Sequence, residues 1–351
     1  MVAGNDSNRL VDEVGVVLIG AGYWGVNYAR VLNEIPGARL VSVVDSSEER
    51  LREVARRFPR IRLERGIDRV LGDREVNAVV IATPTATHFD IARSALRAGK
   101  HVLIEKPMTG TFSEARELTG TANSNRLTIM VGHTFLYNQG VMAVKRFIDE
   151  GQLGSIYYLH STRTHLGLIR RDVDVAWDLA PHDISIFNHF LSSTPVWVSA
   201  TSGSYLKDSR ADVAFISLGY PGGAIANIHV SWIDSNKVRQ VTVVGSRQRI
   251  VFDDLNPMEP VRVFETGAAV TGDVDSYGEF KLSLRDGSII SPKIPTAEPL
   301  KTQCREFIEC IATGKQPASG GVEGSNVIQT LEAVTQSLRT SGCPVRVGES
   351  G

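Results

Sequence analysis

The sequence has only three cysteines, Cys304, Cys310 and Cys343, which form no metal-ligand pattern and leave an odd thiol after any pairing. That count argues against a disulfide framework or a structural zinc centre, and it makes a reducing cytosol the expected home. Net charge is nearly absent: 38 lysines and arginines oppose 39 acids, for a formal charge of −1. No overall field therefore draws the chain to nucleic acid or to an anionic membrane. No apolar run is long enough to cross a bilayer. The opening "MVAGNDSNRLVDE" is polar and acidic, unlike a signal peptide. Internal repeats and low-complexity tracts are also missing. The partners left are small molecules and further copies of the chain.

What is present is ordinary in bulk, with 42% hydrophobic and 22% charged residues among 351. The length exceeds what one core usually holds, so two domains are expected. Residues 1–12 read as a disordered lead-in, 13–135 as a first domain and 136–351 as a second. In the first, "VGVVLIG", "ARLVSVVD", "NAVVIATP", "HVLIE" and "LTIMVGH" are continuous apolar runs. Between them come stretches of helical spacing at 23–35, 46–58, 88–100 and 112–125. Short buried strands alternating with helices predict a doubly wound α/β domain with a parallel sheet covered on both faces.

Beyond about Gly140 the pattern changes. A helix, "VMAVKRFIDEG", leads into long β-rich segments at 155–164, 195–206, 212–220, 224–234, 239–254 and 279–290. The turn sequences "YPGG", "GSRQ" and "RDGS" predict hairpins between neighbours, hence a second α/β domain with a largely antiparallel open sheet. A helix at 176–191 interrupts it, and two helices near 298–313 and 321–341 close the chain.

"VVLIGAGYWGVNYARVL" sets Gly20, Gly22 and Gly25 as G-x-G-x-x-G between a predicted strand and helix, with Asp45 ending the next strand. Each part has a physical role in holding a dinucleotide. Gly20 permits the tight turn, Gly22 lets a pyrophosphate approach the backbone, and Gly25 lets the helix pack closely. The helix N-terminus, entered through Tyr23 and Trp24, supplies free amides. Asp45 would accept hydrogen bonds from the adenosine ribose. Ser46 and Ser47 follow it where an arginine would suit a 2′-phosphate, so NAD(H) is favoured, while Arg50 leaves NADP(H) open.

"HVLIEKPM" then places Glu105, Lys106 and Pro107 at the carboxyl end of a strand, the edge where open α/β sheets bind ligands. A lysine there can steady a developing alkoxide, and the proline ring fixes the turn. Spacing alone favours a surface lysine over a catalytic one. The same holds for Asp178 and His182 in "WDLAPHDISI": they lie one helical turn apart on one face, yet a helix histidine is commonly structural. Thr83 and Pro84 end a strand beside the expected cofactor, and His88 opens a helix near the ribose.

Read together, "GAGYWG", "ATPTATHFDIARSALRAGKHVLIEKPM" and "WDLAPHDISI" resemble the glucose–fructose oxidoreductase, inositol dehydrogenase and MocA family (Gfo/Idh/MocA), from Val14 to "CREFIECIATGKQPASG". The E-K-P motif is its most specific element. The resemblance implies an NAD(P)-dependent sugar or polyol dehydrogenase acting on CH–OH groups. Glu105 and Lys106 would lie against the cofactor, and Lys106 would also touch the substrate through a Lys-Pro peptide that is often cis. His182 would be the general base and Asp178 would orient the sugar or the imidazole. Ala180 stands where the family usually has glycine. These roles require Lys106 and His182 to converge on one nicotinamide ring.

"GYWGVNYAR" and "GHTFLYN" look closest to the branch acting at C3 of nucleotide-linked sugars, such as the UDP-N-acetylglucosaminuronate 3-dehydrogenases and the 3-ketoreductases. Tyr137, Asn138, Arg163 and His165 are candidate substrate contacts, with interdomain packing an equal reading for the first two. Arg163, Arg170 and Arg171 suit a phosphate- or carboxylate-bearing substrate, or else form a solvated loop. The alternatives are a free polyol or inositol dehydrogenase and, in another class, a non-catalytic dinucleotide sensor. His101, His160 and His229 read as structural. Asp183 beside His182 lacks a third ligand, so no metal site is expected. The alternating apolar residues of "VAFISL" and "IANIHVSW" predict a homodimer or homotetramer through the second sheet.

Overall fold

Runs of consecutive apolar residues become the centre of a parallel sheet. The computed structural model describes residues 13–167, 169, 172–206, 210–265, 267–270, 282–285 and 287–348. The expected lead-in at 1–12, and Arg170 and Arg171, lie outside the described residues. The chain opens with β1 (Val14–Ile19), α1 (Tyr23–Glu34), β2 (Ala38–Val44), α2 (Glu48–Arg57), β3 (Arg62–Glu64) and α3 (Asp68–Gly72). There follow β4 (Ala78–Ile81), α4 (His88–Arg97), β5 (His101–Ile104), α5 (Phe112–Ser124) and β6 (Ile129–Val131). The strand order is β3-β2-β1-β4-β5-β6 with every pair parallel. The order reverses between β1 and β4, which places the glycine turn after β1 at the switch point where such sheets bind ligands.

Local chemistry sets these helix ends. Ser47 caps α2 by accepting from the Arg50 amide, and Glu48 and Glu49 face the positive end of its dipole. Thr111 and Glu114 form a reciprocal capping box on α5. β3 and α3 lie in a stretch where the sequence predicts no element. β3 is three residues long and reads Arg-Leu-Glu, too short and too charged to show a period.

The second half comprises α6 (Gln139–Asp149), β7 (Ile156–Leu166), α7 (Val175–Leu191), β8 (Trp197–Gly203), β9 (Val213–Gly219), β10 (Ile225–Ser231) and β11 (Ile233–Gly245). β12 (Arg249–Asp253), β13 (Val261–Phe264), β14 (Gly267–Val270), β15 (Leu282–Arg285) and β16 (Ile289–Ile290) follow. The chain closes with α8 (Pro299–Thr313), α9 (Gly321–Arg339) and β17 (Val345–Arg346). Nine strands form one sheet in the order β16-β13-β12-β11-β7-β10-β9-β8-β17, antiparallel except for β7 with β10. One face buries Leu159, Ile216, Leu218, Ile228, Val230, Val241 and Val243, and α6 and α7 pack on this sheet. The other face presents Tyr158, Phe215 and Ile225, all more than 40% exposed, with His160 and His229 among them.

Three expectations are corrected here. "YPGG" and "GSRQ" do close hairpins, but "RDGS" does not: β15 pairs with β14 and β16 with β13. The apolar run 224–234 is not one strand, because the chain leaves β10 at Ser231, turns at Trp232 and returns as β11 on the opposite side of β7. Contacts also divide the chain differently from the expected 13–135 and 136–351. Leu300–Val322 belongs with the residues up to Gly132, while His133–Pro299 and the residues from Glu323 form the second unit. In the first unit Ser319 and Gly320 pair with β6, so backbone that a strand edge would leave open is covered.

Candidate functional site

In the first unit the glycine turn is built by close approach. Gly20 holds φ +96°, and a Cβ there would lie 2.6 Å from the Ala82 carbonyl oxygen; a Cβ at Gly25 would lie 1.9 Å from the Gly20 carbonyl oxygen. Only glycine fits at either place. At Gly22 the reverse holds: an added Cβ meets nothing within 4 Å. Gly22 is the N-cap of α1 and supplies no side-chain cap, so no side chain occupies this end of the helix at Gly22. This is the arrangement a pyrophosphate needs, and the residues present fit a dinucleotide. Tyr23 and Trp24 lie exposed at the same helix end with their rings edge to face, 5.8 Å between centroids.

Asp45 is buried at the end of β2. Its Oδ2 accepts from the Ala21 amide at 2.7 Å and its Oδ1 from the Ser47 amide at 2.8 Å, so it braces the glycine turn. The Arg50 guanidinium reaches to 3.6 Å from Oδ2. Thr83 Oγ1 lies 2.8 Å from Thr87 Oγ1 in the turn after β4, which Pro84 continues.

Glu105, expected against the cofactor, is instead buried beneath its own turn. Its Oε1 accepts from Tyr28 Oη at 2.7 Å and its Oε2 from the Lys106 amide at 3.1 Å. Gln303 of α8 donates to Tyr28 Oη at 3.2 Å. Burial first, then the neighbouring Glu105 charge, raises the Tyr28 pKa well above its ordinary value, so the phenol stays a donor. Lys106 is partly exposed at the end of β5, and the Lys106–Pro107 peptide is cis. His88, expected near the ribose, is buried with Nδ1 2.9 Å from the Pro107 carbonyl oxygen and Nε2 2.9 Å from the Thr83 carbonyl oxygen. It ties the two turns together and does not present a free edge to a ligand. Replacing Tyr28 by phenylalanine removes a buried hydrogen bond to a carboxylate. It is expected to lower stability by about 1.5–3 kcal/mol, read from the denaturant midpoint.

In the second unit α7 carries Asp178 and His182 one turn apart. Asp174 caps the helix by accepting from the Trp177 amide at 2.9 Å. Pro181 lies inside it, just before His182, and withholds the amide that would bond the Trp177 carbonyl. Asp178 Oδ2 accepts from Trp232 Nε1 at 3.2 Å, and Trp232 sits at the crossing between β10 and β11. His165, at the end of β7, has its pKa held down by burial and then by Arg239, with Asp178 pulling the other way. Asp178 and His165 therefore belong to one electrostatic neighbourhood.

The other candidates are committed elsewhere. Arg163 Nε and Nη2 bond both oxygens of Asp183 at 2.9 and 3.0 Å, with side chains 5% and 1% exposed. A buried, doubly bonded guanidinium is not offered to a substrate phosphate. Asn138 caps α6 by accepting from the Gly140 amide at 2.8 Å, and its amide donates to Asp254 at 3.0 Å. Tyr137 is buried at 2% exposure. Among the described residues, no group of three or more His, Cys, Asp or Glu side chains is placed to hold a metal ion, and no helix is long and apolar enough to cross a membrane. Sequence reading passed over Tyr28, Gln303, Phe135 and Trp232. A tryptophan amid the β-run "IHVSWID" was the one visible signal among them.

The family described as "Oxidoreductase family, NAD-binding Rossmann fold" matches residues 14–133, and the "GFO/IDH/MocA C-terminal domain" matches 141–251. UDP-N-acetylglucosamine 3-dehydrogenase of Acidithiobacillus ferrooxidans is 28% identical over 312 residues, covering 89% of this chain and 93% of that enzyme. Its solved structure superposes with a TM-score of 0.79 at 27% identity, over 93% of this chain and 98% of that one. The uncharacterised oxidoreductase YdgJ of Escherichia coli K12 is 30% identical over 265 residues, covering 71% and 73%. The scyllo-inositol 2-dehydrogenase (NAD(+)) of Bacillus subtilis is 24% identical over 349 residues, covering 95% and 96%. Fold, glycine cradle and these likenesses define an NAD-binding oxidoreductase with a Rossmann sheet. The chain belongs to the Gfo/Idh/MocA oxidoreductase family.

Proposed function

We propose that this protein transfers hydride between NAD and the C3 hydroxyl or ketone of a nucleotide-linked sugar. The observation that carries the reading is the motif pair: Lys106 at the end of β5 on a turn braced by Glu105 and His88, and Asp178 with His182 on one face of α7. The likeness to a UDP-N-acetylglucosamine 3-dehydrogenase over nine-tenths of both chains supports the substrate class.

The dinucleotide, when bound, supplies the hydride acceptor. The α1 N-terminus and Gly22 would receive its pyrophosphate, and Asp45 would accept from its adenosine ribose. His182 removes the proton from the reacting hydroxyl as hydride leaves the same carbon. The Lys106 ammonium would stabilise negative charge developing on a substrate oxygen. Asp178, held by Trp232, orients the sugar or the imidazole.

NAD is the preferred cofactor. A 2′-phosphate beside Asp45 would meet a carboxylate, and Arg50 is already drawn to that carboxylate. Asp45→Asn is therefore expected to shift the kcat/KM ratio toward NADP by roughly tenfold, the effect of one such repulsion near a protein surface. Steady-state rates with each dinucleotide measure it.

A free inositol as substrate is the second reading, favoured by the inositol dehydrogenase likeness and by the withdrawal of Arg163 into an internal ion pair. Nicotinamide absorbance in a panel of UDP-sugars, dTDP-sugars and inositols decides between them; turnover of inositols alone would reject the nucleotide-sugar reading. The exposed sheet face with Tyr158, Phe215 and Ile225 supports a homodimer or homotetramer, since apolar rings on an open sheet need cover. Light scattering should report one of these assemblies, and a monomer at working concentration would overturn it.

A further inference from the structure

His182 and Asp183 are sequence neighbours on α7, and their side chains are joined again through space by two residues from other elements. Asp183 binds Arg163 of β7 through two parallel hydrogen bonds, 2.9 and 3.0 Å long. The Arg163 guanidinium lies over the Phe135 ring, its Cζ 4.3 Å from the centroid. Phe135 in turn meets the His182 imidazole in a T-shaped contact, centroids 5.0 Å apart and planes inclined at 64°. The four side chains close a circuit.

A buried ion pair is a poor device for stability, because desolvation offsets most of the attraction. What this pair supplies is geometry. Only arginine can fork onto a carboxylate and lie flat on an aromatic ring at once; a lysine ammonium would keep the charge but lose both planar contacts. Asp183 fixes the guanidinium, the guanidinium fixes the Phe135 ring, and that ring forms a wall beside the imidazole. A wall is needed because the outer torsion of histidine is broad, while a general base must hold its nitrogen within hydrogen-bonding reach of one proton.

We propose that Phe135, held by the Arg163–Asp183 pair, is a positioning residue that sets the plane of the His182 imidazole. The idea rests on the reading of His182 as the general base. The experiment uses the full-length protein with NAD, and UDP-N-acetylglucosamine as probe. Five forms are compared: wild type, Phe135→Leu, Phe135→Tyr, Arg163→Lys, and His182→Asn to assign the resonance. In histidine-labelled NMR spectra, the His182 ring signal is expected to move in Phe135→Leu, through loss of the ring current. The other histidines should stay in place, and Phe135→Tyr should hold the His182 signal near its wild-type position.

Turnover in Phe135→Leu is expected to fall by about 10- to 100-fold, the range a small misplacement of a reacting group produces. KM for NAD should remain unchanged, and Phe135→Tyr should restore most of the rate. Arg163→Lys should shift the same resonance without touching the ring directly. A His182 signal that stays put in both Phe135→Leu and Arg163→Lys overturns the proposal. Signals that move as expected while His182→Asn keeps full turnover would leave the contact intact and reject the role of His182 as base.

Discussion

His182→Asn and Lys106→Met should each lower turnover by about 10²–10⁴-fold, the range over which a positioned proton-transfer group accelerates a reaction. Dinucleotide affinity should be largely retained, because the cradle is made elsewhere: the Gly20 turn, the open face at Gly22, and Asp45 bonded to the Ala21 and Ser47 amides. Asparagine preserves the polarity of His182 without its basicity, and methionine preserves the length of Lys106 without its charge, so packing changes least. Rates followed by nicotinamide absorbance and affinity followed by fluorescence quenching separate the two effects. Near-normal turnover in both variants would remove the assigned roles. Dinucleotide binding by the wild type with no turnover of any sugar in the panel would instead favour a protein that binds the dinucleotide as a sensor.

The largest expected effect on stability is at Asp183. Its carboxylate is 1% exposed and carries both hydrogen bonds from Arg163, itself 5% exposed. Asp183→Ala strands a guanidinium in the interior of the second unit, and removing one partner of a buried pair costs about 3–5 kcal/mol. The melting transition of that unit should fall by something on the order of 10 °C. Salt should change the loss little, because buried charges are poorly screened. Replacing both partners, Arg163→Met with Asp183→Leu, should recover most of the stability, since two apolar groups leave no charge unpaired. Activity in the double variant should stay low if the pair orients Phe135. Thermal unfolding and turnover measured on the same samples would show whether stability and rate part in this way.

Much of the first unit was legible because its signals are local. The run "VGVVLI" is buried at every position, as the absence of alternation predicted, and Gly20 and Gly25 stand where close approach forbids a Cβ. Ser47 and Thr111 cap their helices within three residues of themselves. Where local signals were weak, reading failed. β3 is too short and charged to show a period, and "RDGS" resembles a hairpin turn although its flanking strands pair with different partners.

The sequence by itself determined the alternation of buried strands and helices, the dinucleotide turn, and the residue types able to move a proton, since each depends on neighbours a few positions away. Only the tertiary structure decided what the remaining polar groups do. Glu105 faces Tyr28 across 77 residues, and Tyr28 meets Gln303 across 275. Arg163 turned from a substrate candidate into half of an internal ion pair, and His88 from a ribose contact into a bolt between two turns. A charged or polar side chain has too many acceptable partners for composition or spacing to choose among. The choice is made when packing excludes water and leaves one partner within reach.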